Sequence, residues 1–470
     1  MKSIKLIIIL ISSAFIFGCD DLDVVDKSAL PTDVALQDVQ GYQTVLNSAY
    51  ESVNDFGYYG QTMMIGPEIL ADNMELIQLT GRYELEYVNA VNSGINIWFN
   101  RYIAINECNI IIETIDDESV AGSVDEKARL RGEALFLRAL FYHDLARVYG
   151  YEPGREVDNF NLAVPLVVTP TLGLTDIEDL PRASNVEVYT QIKADLNAAI
   201  GLLQDVTPGT TETRFASRNA ARLLLARVHL YEGDDTQAAA FAQQVIIGDG
   251  SDLVQDSLNL NLYFDSFNDA SLPFHPESLF ESELQGPDWS GVDGANNSLH
   301  SLLMNDGGGS QFIISPSAEL IAEIETESED VRRDLFNVET LGLEYNKWRG
   351  ASSVPFQENI PILRLSEAYL IAAEALGPGP GDAFLNALRL ERGITTEVPA
   401  TLDNVLREKR IEFMAEGHRW FDLKRNGFDI PKPAASGETS LLYTDFRILP
   451  RIPQSEINLS DQLVNNPGYN

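Results

Sequence analysis

The sequence predicts a mainly α fold in which helix pairs stack into a superhelical scaffold beside an irregular, loop-rich part. Three observations lead there. Apolar residues recur at helical spacing through long stretches of the chain. Several of these stretches come in pairs, parted by glycine or proline turns and carrying small residues. Between residues 251 and 316 the helical period disappears, and glycines, prolines and asparagines crowd together.

Residues 1–18 read as a secretory signal. Lys2 and Lys5 give a positive start, and the apolar run from Leu6 to Phe17 is too short to span a bilayer. Gly18-Cys19 closes the run where a lipoprotein signal peptidase would cut, so Cys19 is the expected lipidation site, and its acyl chains would anchor the protein without a transmembrane helix. Residues 19–31 then form a tether, and 32–470 are expected as one domain. With Cys19 acylated, Cys108 alone remains and no intramolecular disulfide is available. It lies on the face traced by Trp98, Tyr102, Ile105 and Ile112, which reads as a buried structural thiol.

A first helix is expected over Asp33 to Val53, with Val34, Gln37, Gly41, Val45, Ser48 and Ser52 in line. Residues 54–87 look irregular. Tyr58 and Tyr59 sit there beside glycines, unlike core residues, with Asp55, Asp72-Asn73 and Arg82-Tyr83 as polar neighbours. Arg131 to Tyr149 carries two apolar stripes, one through Leu137, Phe141 and Leu145 and one through Leu135, Tyr142 and Ala146. It must be buried on two sides. Ser184 and Glu187 form a capping box before a helix that Pro208-Gly209 ends.

Residues 217–247 read as helix, tight Gly233-Asp234-Asp235 turn, helix. A second pair spans 366–392 around a Gly-Pro-Gly-Pro-Gly-Asp turn. Small residues (Ala226, Ala238, Ala242) let paired helices approach, and large ones (Tyr231, Phe241) fill the groove. That makes these units tetratricopeptide-like, within about 125–250 and 360–427. The intervening insertion, about 251–316, keeps Phe280, Trp289, Leu302 and Phe312. Trp289 beside Asp288 is either a ligand platform or a loop anchor. Trp348, between Lys347 and Arg349, is a further platform candidate or else a strand or core residue.

In Arg407 to Gly427, Leu406, Phe413, Gly417 and Trp420 fall on one helical side and Ile411, Met414 and Phe421 on another. Charges of opposite sign stand at i,i+3: Lys409 with Glu412, Glu416 with Arg419, Asp422 with Arg425. Gly417 marks either a helix joint or a close backbone approach. Such a segment belongs wedged inside a helical body. Its run E-x-R-x-x-F-x-x-E-G-H-R-W-F-D-L-K-R resembles the C-terminal hallmark of the SusD/RagB family of surface lipoproteins of Bacteroidota. RGEALFLRALFYHDLARVYG (131–150), RLSEAYLIAAEAL (364–376), LPRIPQSEIN and NNPGY extend the resemblance in order along the chain.

The resemblance implies a surface-exposed, lipid-anchored outer-membrane protein that captures oligosaccharides. It would hand them to a SusC-like TonB-dependent outer-membrane transporter. A peptide-binding member of the same family and a surface glycoside hydrolase are the alternatives. A formal net charge of −38 excludes nucleic acid as a partner, since phosphate contacts need clustered lysine and arginine. No GxSxG, HExxH or P-loop motif is present, and the five histidines lack metal-ligand spacing, so neither an enzyme, a metal nor a cofactor is expected. A sugar stacks its C–H face on an aromatic ring and needs Asp, Asn, Gln or Arg at its hydroxyl edge. The candidate ligand residues are therefore Tyr58, Tyr59, Asp72, Asn73, Tyr83, Asp288, Trp289 and Trp348.

Overall fold

Asp38 starts the first helix by accepting the N–H groups of Gln40 and Gly41, so α1 spans Val39–Asn54 and begins later than the apolar pattern. It buries Tyr42, Leu46, Ala49 and Val53, not the predicted line through Val45, Ser48 and Ser52. The computed structural model describes residues 35–248, 274–284, 296–305, 309–338, 342–348 and 359–469. The signal, the tether with Cys19, and Asp288 and Trp289 lie outside the described residues.

The stretch expected to be irregular holds α2 (Thr62–Leu70), β1 (Met74–Leu76) and α3 (Glu84–Tyr87). Every residue of α2 from Met63 to Leu70 is buried, so it has no polar face and leaves no amphipathic period to read. Next come α4 (Trp98–Thr114) and α5 (Val124–Tyr149). The latter opens on a Ser123–Glu126 capping box, seven residues ahead of the expected start. The Ser184–Glu187 box opens α6 (Asn185–Leu202) as predicted. α7 (Arg218–Glu232) ends at Gly233 with φ 79°, and α8 (Asp235–Gly248) follows.

The remaining elements are β2 (Ser278–Ser282), α9 (Leu299–Leu303), β3 (Ile314–Pro316), α10 (Ala318–Ile324), β4 (Phe336–Val338), β5 (Leu343–Tyr345) and β6 (Ile360–Arg364). The chain then runs through α11 (Leu365–Leu376), α12 (Asp382–Glu391), α13 (Leu402–Glu412), α14 (Arg419–Arg425) and α15 (Gln454–Leu459). Among the described residues the strands form three antiparallel pairs, β1 with β3, β2 with β6 and β4 with β5. From α4 to α8 each helix packs on the next. α8 then packs on α11, which pairs with α12. The helical stack is thus continuous in space although residues 249–364 interrupt it in sequence.

The hallmark is two helices with Gly417 between α13 and α14, and both readings of that glycine hold. Its φ is +77°, and a Cβ there would lie 1.7 Å from the Met63 carbonyl oxygen. Its charges pair differently from the i,i+3 expectation. Asp422 does pair with Arg425. Glu412, however, accepts from Arg332 (2.8 Å), Arg364 (2.7 Å) and Arg392 (2.8 Å), while Arg419 turns to Asp72 at 2.7 Å. Glu416 is held by Arg364 and Lys347. Cys108 is fully buried, and burial pushes its thiol pKa up.

Candidate functional site

Where β1 ends, Gln78 keeps the chain beside β3 by donating to the Phe312 carbonyl at 2.8 Å. Five residues on, Tyr83 adopts the left-handed region with φ +61°, an uncommon conformation for a bulky residue, and Phe312 opposite has φ +42°. The Gly81 N–H donates to Glu84 at 2.8 Å and tightens this turn. Tyr83 thereby points its hydroxyl at the Gln61 side-chain oxygen, 2.7 Å away. Arg82 donates to Gln311 Oε1 at 2.8 Å and to the Asn296 carbonyl, and reaches Gln61 Oε1 at 3.5 Å. Gln311 in turn donates to the Asn296 side chain, and Gln61 to the Asn297 carbonyl.

These contacts tie three distant stretches, around 61, 78–83 and 296–311, into one patch of amide and guanidinium groups. Arg82 and Tyr83 are partly exposed, Asn296 is exposed and Gln61 is buried beneath them. The hydrogen-bond partners of Arg82 among the described residues are neutral oxygens. Burial raises the Tyr83 hydroxyl pKa, so it remains a neutral O–H group. The patch offers amide donors and acceptors with one cation and one ring, a set that matches the hydroxyls of a sugar.

The other candidates are placed differently. Tyr58 and Tyr59, expected on an exposed loop, are core. The Tyr58 hydroxyl donates to buried Asp144, the Arg101 guanidinium lies 3.9 Å from its ring centre, and the two tyrosine rings meet edge-on at 4.5 Å. Asp72 is buried and accepts from Arg419 at 2.7 Å, and Arg410 lies 2.9 Å from it. Burial alone would raise its pKa, but these two guanidiniums hold it below the usual range. Asn73 accepts from Arg410 at 2.8 Å and donates to Glu68. Both residues clamp α2 to the hallmark helices. Trp348 is 1% exposed and packs edge-on to His275, so the core alternative holds for it. Of the candidates that are described, only Tyr83 stands at a surface, together with its neighbour Arg82. Gln61, Gln78, Asn296 and Gln311 are missing from the sequence candidates because lone amides in loops carry no periodic or motif signal.

Residues 21–230 match the family model described as "Starch-binding associating with outer membrane", and residues 343–469 match that of the SusD family. The chain is 23% identical to SusD-like protein P2 of Formosa agariphila, an alignment covering 100% of both chains. It is 32% identical to the starch-binding protein SusD of Bacteroides thetaiotaomicron over 30% of this chain and 28% of that one. The crystal structure of a SusD superfamily protein from Bacteroides thetaiotaomicron superposes with TM-score 0.80 at 26% identity. It covers 91% of this chain and 99% of its own.

Proposed function

We propose, since this chain belongs to the SusD/RagB family, that it binds oligosaccharides at the cell surface and passes them to a TonB-dependent outer-membrane transporter. The observation that carries the reading is the pair of ordered family matches flanking the part of the chain that holds the insertion. The patch around Arg82 supports it. Gln61, Gln311, Asn296 and Arg82 supply hydroxyl partners, and the Tyr83 ring supplies an apolar edge. Trp289 and Asp288 stand within eight residues of Asn296 in sequence, and we place the stacking platform there. Ligand capture needs no bond making, so the bound sugar leaves unchanged.

No helix among the described residues is long and apolar enough to cross a membrane. Attachment is assigned to acyl chains on Cys19, with surface display. Titration calorimetry of the mature chain against starch and other neutral oligosaccharides tests the reading. Saturable binding without hydrolysis is expected, and oligopeptide binding in place of sugar binding would overturn it. Cys19→Ala should release the protein from membranes or leave its precursor unprocessed.

A further inference from the structure

A second opening, sharing no residue with the Arg82 patch, lies between α4, the segment 165–180 and the C-terminal helix α15. It is a cleft of about 720 Å³. Its walls are fixed in place by hydrogen bonds. The Tyr102 hydroxyl donates to the Pro165 carbonyl at 2.7 Å, and Asn106 exchanges two bonds with Thr171. The Ser460 hydroxyl and the Asp461 N–H both close on Asp179. Into this pre-formed cleft project large apolar side chains that the fold leaves uncovered: Leu459 is 84% exposed, Phe99 66%, Ile177 63% and Ile103 49%. Apolar surface gathered at one cleft and rimmed by polar groups marks an interaction site.

The charge around it narrows the occupant. Glu107, Asp176, Glu178, Asp179 and Glu456 line the cleft, and no lysine or arginine is found among its described lining residues. The chain's own tether, with Asp20, Asp21, Asp23 and Asp26 against Lys27, would be repelled. A second copy, at a net charge of −38, is equally disfavoured. We infer that this cleft docks a segment of another protein that alternates aliphatic or aromatic side chains with lysine or arginine. The apolar side chains would cover Phe99, Ile103, Ile177 and Leu459, and the cations would meet the carboxylates at the rim.

Fluorescence anisotropy with the full mature chain tests this, using three labelled decapeptides that alternate Leu with Lys, Leu with Glu, and Ser with Lys. The Leu/Lys peptide should bind at least about tenfold more tightly than either control. Combined Phe99→Ser and Leu459→Ser should weaken it about tenfold or more. Glu178→Lys should weaken it too, and none of these exposed substitutions should move the melting temperature. The Ser/Lys peptide, held by charge alone, should not respond to the apolar substitutions. Equal binding of Ser/Lys and Leu/Lys peptides would overturn the inference, as would Leu/Lys binding that survives the double substitution. So would a neutral oligosaccharide whose affinity falls in that variant. Because the variants avoid the Arg82 patch, sugar binding there can fail or persist independently of this result.

Discussion

Beneath the C-terminal helices, Glu412 accepts from Arg332, Arg364 and Arg392, and Glu416, Glu408 and Glu277 complete a sealed set of ion pairs. At the rim of the molecule, Arg82 is built into an equally dense network, but its partners are the neutral oxygens of Gln61, Gln311 and Asn296. In this cluster the buried guanidiniums are matched by carboxylates, because an uncompensated charge away from water is costly. A guanidinium at the surface can stay unmatched and keep its field for a ligand. Density of polar contacts therefore does not separate scaffold from site in this protein. Access to solvent does, since the buried Arg182 is likewise held by neutral carbonyl oxygens.

The largest effect is expected at the sealed cluster. Three guanidiniums outweigh the cost of burial and hold the Glu412 carboxyl well below the usual range. Glu412→Gln removes the one carboxylate all three share, although each keeps another, and should destabilise the fold by about 3–5 kcal/mol, read from urea unfolding. Sugar affinity of the folded fraction should be unchanged. A stable variant that no longer binds would reverse the comparison.

Glu68 sharpens it. This glutamate is as buried as Glu412, but its nearest donors are the neutral N–H group of His418 and the Asn73 amide, so burial pushes its pKa up to about 7. Between the ordinary value and pH 7 the folded state then holds the proton more tightly than the unfolded chain, so stability falls as pH rises through that window. The shift is worth about 3 kcal/mol. Set against wild type, Glu68→Gln should gain that amount on moving from about pH 4.5 to pH 8. A constant difference across the window would show that Glu68 is ionised throughout.

Arg82→Ala should cost about 2 kcal/mol of sugar binding, or some thirtyfold in affinity by calorimetry. Its effect on folding should be about 1 kcal/mol or less. Unchanged affinity would move the site away from this patch. The smallest effect belongs to Tyr58→Phe, which removes one buried hydrogen bond to Asp144. Arg147 still holds that carboxylate at 2.7 Å. About 1–2 kcal/mol of stability should go, with binding intact. Loss of binding there would return Tyr58 to the site.

Much of the scaffold was legible in the chain. Capping at Ser184 and the Gly233 turn depends on neighbours a few residues apart, and the stripes of α5 and the helix pairs repeat at a period set by the backbone. Those are local rules, so the sequence determined a mainly α stack, a buried hallmark and a burial-locked Cys108. It did not show α2, whose burial on all sides erases the period. Nor did it show that Glu412 would be surrounded by arginines from 332, 364 and 392 in place of Lys409. The exposure of Tyr58 could not be read either: its loop position promised solvent, and the tertiary fold turned it onto Asp144 and Arg101. The patch joining Gln61, Arg82, Asn296 and Gln311 came from the structure alone. Its members are single polar side chains from two parts of the chain more than two hundred residues apart, and the packing of β1 against β3 brings their loops together.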